Sequence, residues 1–378
     1  METKMIRSPR LFPALLLAGM AALPLAASSP ALAADEAAPV SAPISANAVA
    51  EAYAALLARD YVYPETGERY AAAIRAAIKA GRYAPLTGEA LGRAIDADIN
   101  AVSPDGHLRL RTPLAAPPAG AVPGAPAPMP RPKKVPVEQP GWIAPGIAFV
   151  RFNVFPDDAA VTAEAAKFMA DHADAKAIIF DIRTHNGGGL AQMDVIFPWL
   201  FGQETRLVTM ATRASVDARG GSPIDGVPSM RPVTGDAAMV TREHWATPNS
   251  DTRLRDAKVY VLTSGASASA AEHFALAMKH TGRGVLVGDP TAGANHFGFG
   301  EDLGGGYGAF IPVGRTYDPT TGKDWEGSGV LPDIQVAPAE ALERALTELG
   351  VDAAEAKRLS DAHKPGWPME RRRPKPAG

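Results

Sequence analysis

The chain has no cysteine among its 378 residues, so disulfides, thiol nucleophiles and thiolate metal sites are all excluded. It also lacks a strong charge of either sign. A formal net charge of −3 gives no basic footprint of the kind that holds nucleic acid. Metal-binding patterns are missing as well. There is no H-E-x-x-H and no Asp-rich calcium loop, and His273 and His280 on one predicted helix do not have the i, i+4 spacing of a zinc helix. No metal and no cofactor are expected. The one long apolar run, Leu11–Ala27, is broken by Pro13 and Pro24 and ends among small residues, so it does not read as a stable membrane anchor.

That run has the form of a secretory signal. Lys4, Arg7 and Arg10 precede it, and Ala31-Leu32-Ala33 supplies a small-residue cleavage site, so residues 1–33 are expected to be removed and the product to be periplasmic or secreted. Residues 34–44, rich in Ala, Pro and Ser, read as a disordered lead-in. Apolar residues at helical spacing then define three amphipathic helices. Val49, Tyr53, Leu56 and Leu57 line the first, Tyr70, Ile74 and Ile78 the second, and Leu91, Ile95, Ile99 and Val102 the third, within a helical domain over 45–112. Residues 113–140 hold ten prolines and few apolar residues, and read as a linker or surface loop. From Gly146 strands and helices alternate. Ile147–Phe152, a helix over Ala159–Ala173 and Ala177–Ile182 form a crossover unit of a parallel sheet, the start of an α/β core over 141–340. Residues 215–250 read as a long loop, 307–316 and 323–326 as a hairpin, and 341–378 as a helix with a basic tail at Arg371–Arg373.

The segment richest in chemistry is Val259–Glu272, VYVLTSGASASAAE. An apolar strand runs through small residues into a helix, which places serine hydroxyls beside unpaired helix N-terminal amides. Ser269-Ala-Ala-Glu272 also fits a capping box, and the motif alone leaves both readings open. Upstream, Asp181-Ile-Arg-Thr-His-Asn-Gly-Gly-Gly189 ends a strand in three glycines, which either turn the chain or aim backbone amides into a cleft. No P-loop lysine follows, which argues against a phosphate cradle.

Taken in order, DIRTHNGGG, VLTSGASASAAE, VGDPTAGANH and WEGSGVLPDI resemble the C-terminal processing (tail-specific) peptidases, serine peptidase family S41. The helical segment ending in Ser103-Pro-Asp-Gly-His107 is similar to the branch related to the tricorn core and interphotoreceptor retinoid-binding protein. The resemblance implies a ClpP/crotonase-like α/β spiral with an N-terminal helical domain. It places the nucleophile at Ser269 and the oxyanion donors at Ala270 and Gly187 or Gly188. The lysine base of dyad members would fall on Ala294, so the resemblance instead implies a histidine base, His107, completed by Glu326. His296 and His185 are the alternative bases, since a neutral imidazole titrates near working pH. Many members carry a PDZ domain where this chain has its proline-rich segment. The expected activity is hydrolysis of a peptide or unfolded protein through an acyl-enzyme, with no nucleic-acid partner. Two other outcomes fit the resemblance: an inactive binder of apolar ligands on the same fold, and a hydrolase of non-peptide esters.

Overall fold

A computed structural model describes residues 44–113 and 134–370. The signal segment, most of the lead-in, most of the proline-rich segment and the basic tail lie outside the described residues.

The chain opens with helices α1 (Ala46–Asp60), α2 (Pro64–Lys79) and α3 (Gly88–Val102), followed by the short strand β1 (Arg109–Arg111). Ser45 caps α1 by accepting the Ala48 N–H, and Pro64 starts α2 where its missing N–H costs nothing. Most of the residues picked out by helical spacing are buried, and Leu56, Ile78 and Val102 are partly so. Val49, Tyr53, Leu57, Tyr70, Ile74, Leu91, Ile95 and Ile99 share one core with Ile311 and Val313 of a later strand. The helices therefore pack onto a sheet.

Next come β2 (Val137–Ala144), β3 (Ile147–Phe152), α4 (Ala159–Asp171), β4 (Ala177–Asp181) and α5 (Ala191–Ile196). The expected crossover is present, with β3 and β4 parallel and in register from Ile147 opposite Ala177. Asp158 caps α4 through the Ala160 N–H. Val137–Pro140, which reads from the sequence as the end of the proline-rich stretch, instead begins β2 and pairs with β3.

Then follow β5 (Thr205–Arg213), α6 (Ala214–Asp217), β6 (Met230–Val233) and β7 (Met239–Ala246). The long loop expected over 215–250 is therefore corrected: β6 and β7 extend a sheet from β5. Its period is hidden because polar side chains fill buried positions there. Arg242 is buried between Asp217 and Asp225, and His244 is buried too.

The chain closes with β8 (Lys258–Thr263), α7 (Ala270–His280), β9 (Val285–Gly288), β10 (His296–Gly304), β11 (Tyr307–Tyr317), β12 (Ile334–Gln335), α8 (Ala341–Glu348) and α9 (Ala353–Ala362). One sheet runs β12-β9-β8-β4-β3-β2, parallel except for β2; the other runs β1-β11-β5-β7-β6, with β10 also paired to β11. Residues 323–326 do not form the expected strand. β11 is already paired with β10 along one edge and with β1 and β5 along the other, so the turn at Asp318–Lys323 leads into a loop that carries Glu326. No helix among the described residues is long and apolar enough to cross a membrane.

Candidate active site

The parallel strands β4 and β8 lie side by side, so the turns that follow them leave the same end of the sheet. After β4 the chain enters the three-glycine turn at Gly187–Gly189. After β8 it enters the serine turn. Two of the three serines in that turn are structural: Ser264 Oγ donates to the Arg183 carbonyl, and Ser267 Oγ donates to the Ile182 carbonyl at 2.8 Å. These bonds fasten one turn to the other. The Ala268 N–H adds a third tie, to the His185 carbonyl at 2.9 Å.

Ser269 heads α7 with φ 56° and ψ −115°, a positive φ that a non-glycine residue adopts only when its surroundings enforce it. A serine on a strained strand-to-helix turn is the arrangement that lifts a nucleophilic hydroxyl clear of its neighbours. Gly187 lies against it. A Cβ built on Gly187 would sit 3.0 Å from Ser269 Cβ and 3.4 Å from its Oγ, and one on Gly188 would sit 1.9 Å from the Phe155 carbonyl oxygen. The glycines are thus required by contact as well as by their φ values of 112° and 133°.

The amides divide between two roles. The Gly187 N–H donates to His185 Nδ1 at 3.1 Å, so it is spent within the loop. Among the described residues no acceptor meets the N–H of Gly188 or of Ala270. Those two are available to an oxyanion. Because His185 Nδ1 accepts, a neutral His185 ring carries its proton on Nε2 and has no lone pair left for a serine proton. Burial and the nearby charge of Lys134 push its pKa down to about 3. His185 therefore orients the glycine loop and is unsuited to the base role that the sequence leaves open for it.

Glu272 does more than cap the helix. Its buried carboxylate accepts from the N–H of Ser269 (2.8 Å), Gly293 (2.6 Å) and Ala294 (2.8 Å) and from the Thr291 hydroxyl (2.6 Å). Burial pushes this carboxyl above its ordinary range although all four donors favour the anion. The loop 291–294 is consequently pinned to the serine turn. Ala294, where dyad members have their lysine, is one of the pinned residues.

Two residues further on, the same loop delivers His296 into a second cluster. His296 Nδ1 bonds to Asp105 Oδ2 at 2.9 Å and lies 4.0 Å from Glu326 Oε2. His107 Nδ1 lies 3.7 Å from Asp105 Oδ1, and the two imidazole centroids are 6.0 Å apart. Glu326 accepts the Asn295 N–H at 2.8 Å, with Gly106 N 3.4 Å from its other oxygen. The structure thus brings His107, His296 and Glu326 together, and adds Asp105, which the sequence marks only as a neighbour of His107. Burial alone would raise Asp105, but the adjacent imidazoles of His107 and His296, the second hydrogen-bonded to it, hold it well below the usual carboxylate range. For His296, burial is outweighed by Asp105 and Glu326, and its pKa rises. Both ring nitrogens of His107 and Nε2 of His296 are buried without a hydrogen-bond partner.

A third group, missed from the sequence, sits behind the serine turn. His273 on α7 bonds to His244 on β7 (2.8 Å), which bonds to Asp194 on α5 (2.9 Å). Burial and the adjacent His244 keep His273 well below its ordinary value, and therefore neutral. It braces the helix that Ser269 heads.

Residues 146–336, about half of the chain, match the sequence pattern of Peptidase family S41. The chain belongs to that family. It is 28% identical over 188 residues to carboxyl-terminal-processing peptidase 3, chloroplastic, of Arabidopsis thaliana, covering 50% of this chain and 31% of that protein. To the C-terminal processing peptidase, chloroplastic, of Tetradesmus obliquus it is 28% identical over 221 residues, covering 57% of this chain and 41% of the other. This S41 chain therefore spans less than half the length of either relative. A solved protein structure from Parabacteroides merdae superposes with a TM-score of 0.53 at 17% identity, covering 84% of this chain and 97% of that one. At that identity the likeness speaks for the fold alone. Its coverage exceeds the family match, so it includes more than the α/β core.

Proposed function

We propose that this S41 chain is an exported serine peptidase that cleaves peptides or unfolded proteins through an acyl-enzyme on Ser269. The observation that carries this reading is the strained Ser269 at the head of α7, packed on Gly187 and flanked by the unengaged N–H groups of Ala270 and Gly188. In this scheme Ser269 Oγ attacks the scissile carbonyl carbon, and its proton passes to His107. The Ala270 and Gly188 N–H groups take the charge that develops on the carbonyl oxygen. Collapse expels the leaving amine with the proton returned from His107. Water, deprotonated by the same imidazole, then hydrolyses the acyl ester.

His107 is assigned the base because both of its ring nitrogens are unbonded and it meets Asp105 only loosely. His296 is tied to Asp105 and biased toward its charged form, in which it has no lone pair to offer. It serves beside Glu326 as a charged wall of the site. Export rests on the N-terminal signal pattern, and both curated relatives carry the word chloroplastic in their names. Sequencing the N-terminus of the protein recovered from expressing cells tests it, with cleavage after Ala33 expected.

The direct test of the chemistry is labelling with a fluorophosphonate probe, located by mass spectrometry. Label on Ser269 that is abolished in Ser269→Ala, and reduced at least ~100-fold in His107→Ala, is the expected result. A folded protein that takes no label would rule out an activated serine. Label undiminished in His107→Ala but lost in His296→Ala would transfer the base role.

A further inference from the structure

Asp105, His107, His296 and Glu326 each offer one donor atom, and these four atoms lie within 4.8 Å of one another. We propose that this quartet is a binding site for a zinc-class divalent cation, which occupies the general-base pocket and switches the peptidase off reversibly. The metal site stands on geometry alone. Its inhibitory consequence rests on the function proposed above.

A tetrahedral zinc ion held by nitrogen and oxygen at about 2.0–2.2 Å places its donors about 3.3–3.6 Å apart. Three nitrogen–oxygen separations in the cluster are already close to that: 2.9 Å from His296 Nδ1 to Asp105 Oδ2, 3.7 Å from His107 Nδ1 to Asp105 Oδ1 and 4.0 Å from His296 Nδ1 to Glu326 Oε2, of which a monodentate Asp105 uses one oxygen. Closing the remainder needs side-chain shifts of about an ångström. Two imidazoles with two carboxylates favour zinc and its transition-metal neighbours over calcium or magnesium, which take oxygen ligands. With the His296 proton released as the metal binds, two carboxylates and two neutral imidazoles also balance a dication.

The surroundings hold the ligands in place. Tyr61 OH donates to Asp105 Oδ2 at 2.7 Å, the His107 backbone N–H to Asp105 Oδ1 at 2.7 Å, and the Asn295 N–H to Glu326 Oε2 at 2.8 Å. Oriented carboxylates of this kind characterise metal sites, where outer partners fix the ligands. An independent observation points to a ligand. His296 is 3% exposed, and its Nε2 and both ring nitrogens of His107 are buried with no hydrogen-bond partner. A proton relay through Asp105 accounts for His296 Nδ1, and the proposed base step for one nitrogen of His107; a cation, which takes one lone pair from each imidazole, gives both buried rings a partner at once. Once His107 coordinates a metal, its lone pair is withdrawn from Ser269.

The test uses the full chain, purified without a polyhistidine tag. Ser269→Ala, which leaves the quartet intact, is titrated with Co²⁺ and followed by visible absorption. One equivalent giving an intense tetrahedral-type band, displaced by Zn²⁺, is expected. The band should be lost in His107→Ala and in His296→Gln, the second being near in size and checked for native circular dichroism. In the otherwise unaltered protein, Zn²⁺ should slow fluorophosphonate labelling of Ser269 at least ~tenfold, with full recovery on adding EDTA. Absence of a band, or a band that survives both histidine substitutions, overturns the site. Stoichiometric binding that leaves labelling unchanged or faster overturns the inhibitory role. Metal binding to a folded chain that takes no label even when metal-free would refute the peptidase reading while sustaining the site.

Discussion

At Gly187 a single methyl group separates two outcomes. It would lie 3.0 Å from Ser269 Cβ in a backbone conformation, φ 112°, that alanine resists. Gly187→Ala should cost about 1–3 kcal/mol of stability in urea unfolding. It should reduce fluorophosphonate labelling far more than that loss explains, because the displaced parts are Ser269 and the amides that the proposed mechanism assigns to the oxyanion. A native circular dichroism spectrum with unchanged labelling would remove Gly187 from the site. The neighbouring His185 makes a second prediction. Its pKa of about 3 lies below that of an unfolded histidine, so it stabilises the fold fully above about pH 6.5, and this contribution is lost as pH falls toward 3. In ¹⁵N-edited spectra the ring should remain the neutral Nε2–H tautomer at about pH 5. Titration of that ring near its ordinary value would show that its Nδ1 bond to Gly187 is not maintained.

Between residue and fold, the junction of β8 and α7 shows what a sequence discloses about an element and what it withholds. The strand is legible from its β-branched run, the helix from its apolar spacing, and Ser269 from the resemblance that orders four motifs. The positive φ of Ser269 is not, because it is imposed by the ties from Ser264, Ser267 and Ala268 to the neighbouring turn. Glu272 looks like half a capping box because only one of its four donors is local in sequence. Asp105 escapes notice for the same reason, since its partner His296 lies 191 residues away. Glu326 is expected on a hairpin and stands instead on a loop, where it lies beside His107, His296 and Asp105. In β6 and β7 the alternation is concealed by Arg242 and His244, polar residues buried with partners. Glu272→Gln tests the element directly. An amide turns one acceptor into a donor facing donors, so the substitution should cost about 2–4 kcal/mol in urea unfolding and detach loop 291–294 from the serine turn. Labelling should fall in parallel. Unchanged stability and labelling would mean that the carboxylate does not hold the two segments together.

On the scale of the whole molecule, one buried carboxylate connects the parallel sheet, the glycine turn and the C-terminal helices. Asp181, at the end of β4, accepts from Arg151 Nε on β3 at 2.8 Å and from Arg183 Nε and Nη2 at 2.8 Å each. Arg151 continues to the His363 carbonyl just past α9, and Arg183 to the Pro338 carbonyl before α8, at 2.7 Å. Burial alone would raise Asp181, but the two guanidiniums outweigh it and bring its pKa down to about 2. A carboxylate depressed in the folded state stabilises at neutral pH, and the contribution is lost as pH falls through the interval from about 4 to 2. Its size at neutral pH is about 2 kcal/mol. Because Asp181 is the anchor that both arginines share, with Glu138 and Gln139 holding Arg151 as well, acid should loosen α8 and α9 ahead of the central strands. Hydrogen exchange should show amide protection in α9 collapsing below about pH 4 while β4 and β8 remain protected. Asp181→Asn leaves buried Arg183 without its carboxylate and Arg151 with Glu138 alone, and should lower stability by about 3–5 kcal/mol at neutral pH while flattening that acid dependence. Simultaneous loss of protection in α9 and β8, unaffected by Asp181→Asn, would locate the acid sensitivity elsewhere in the molecule.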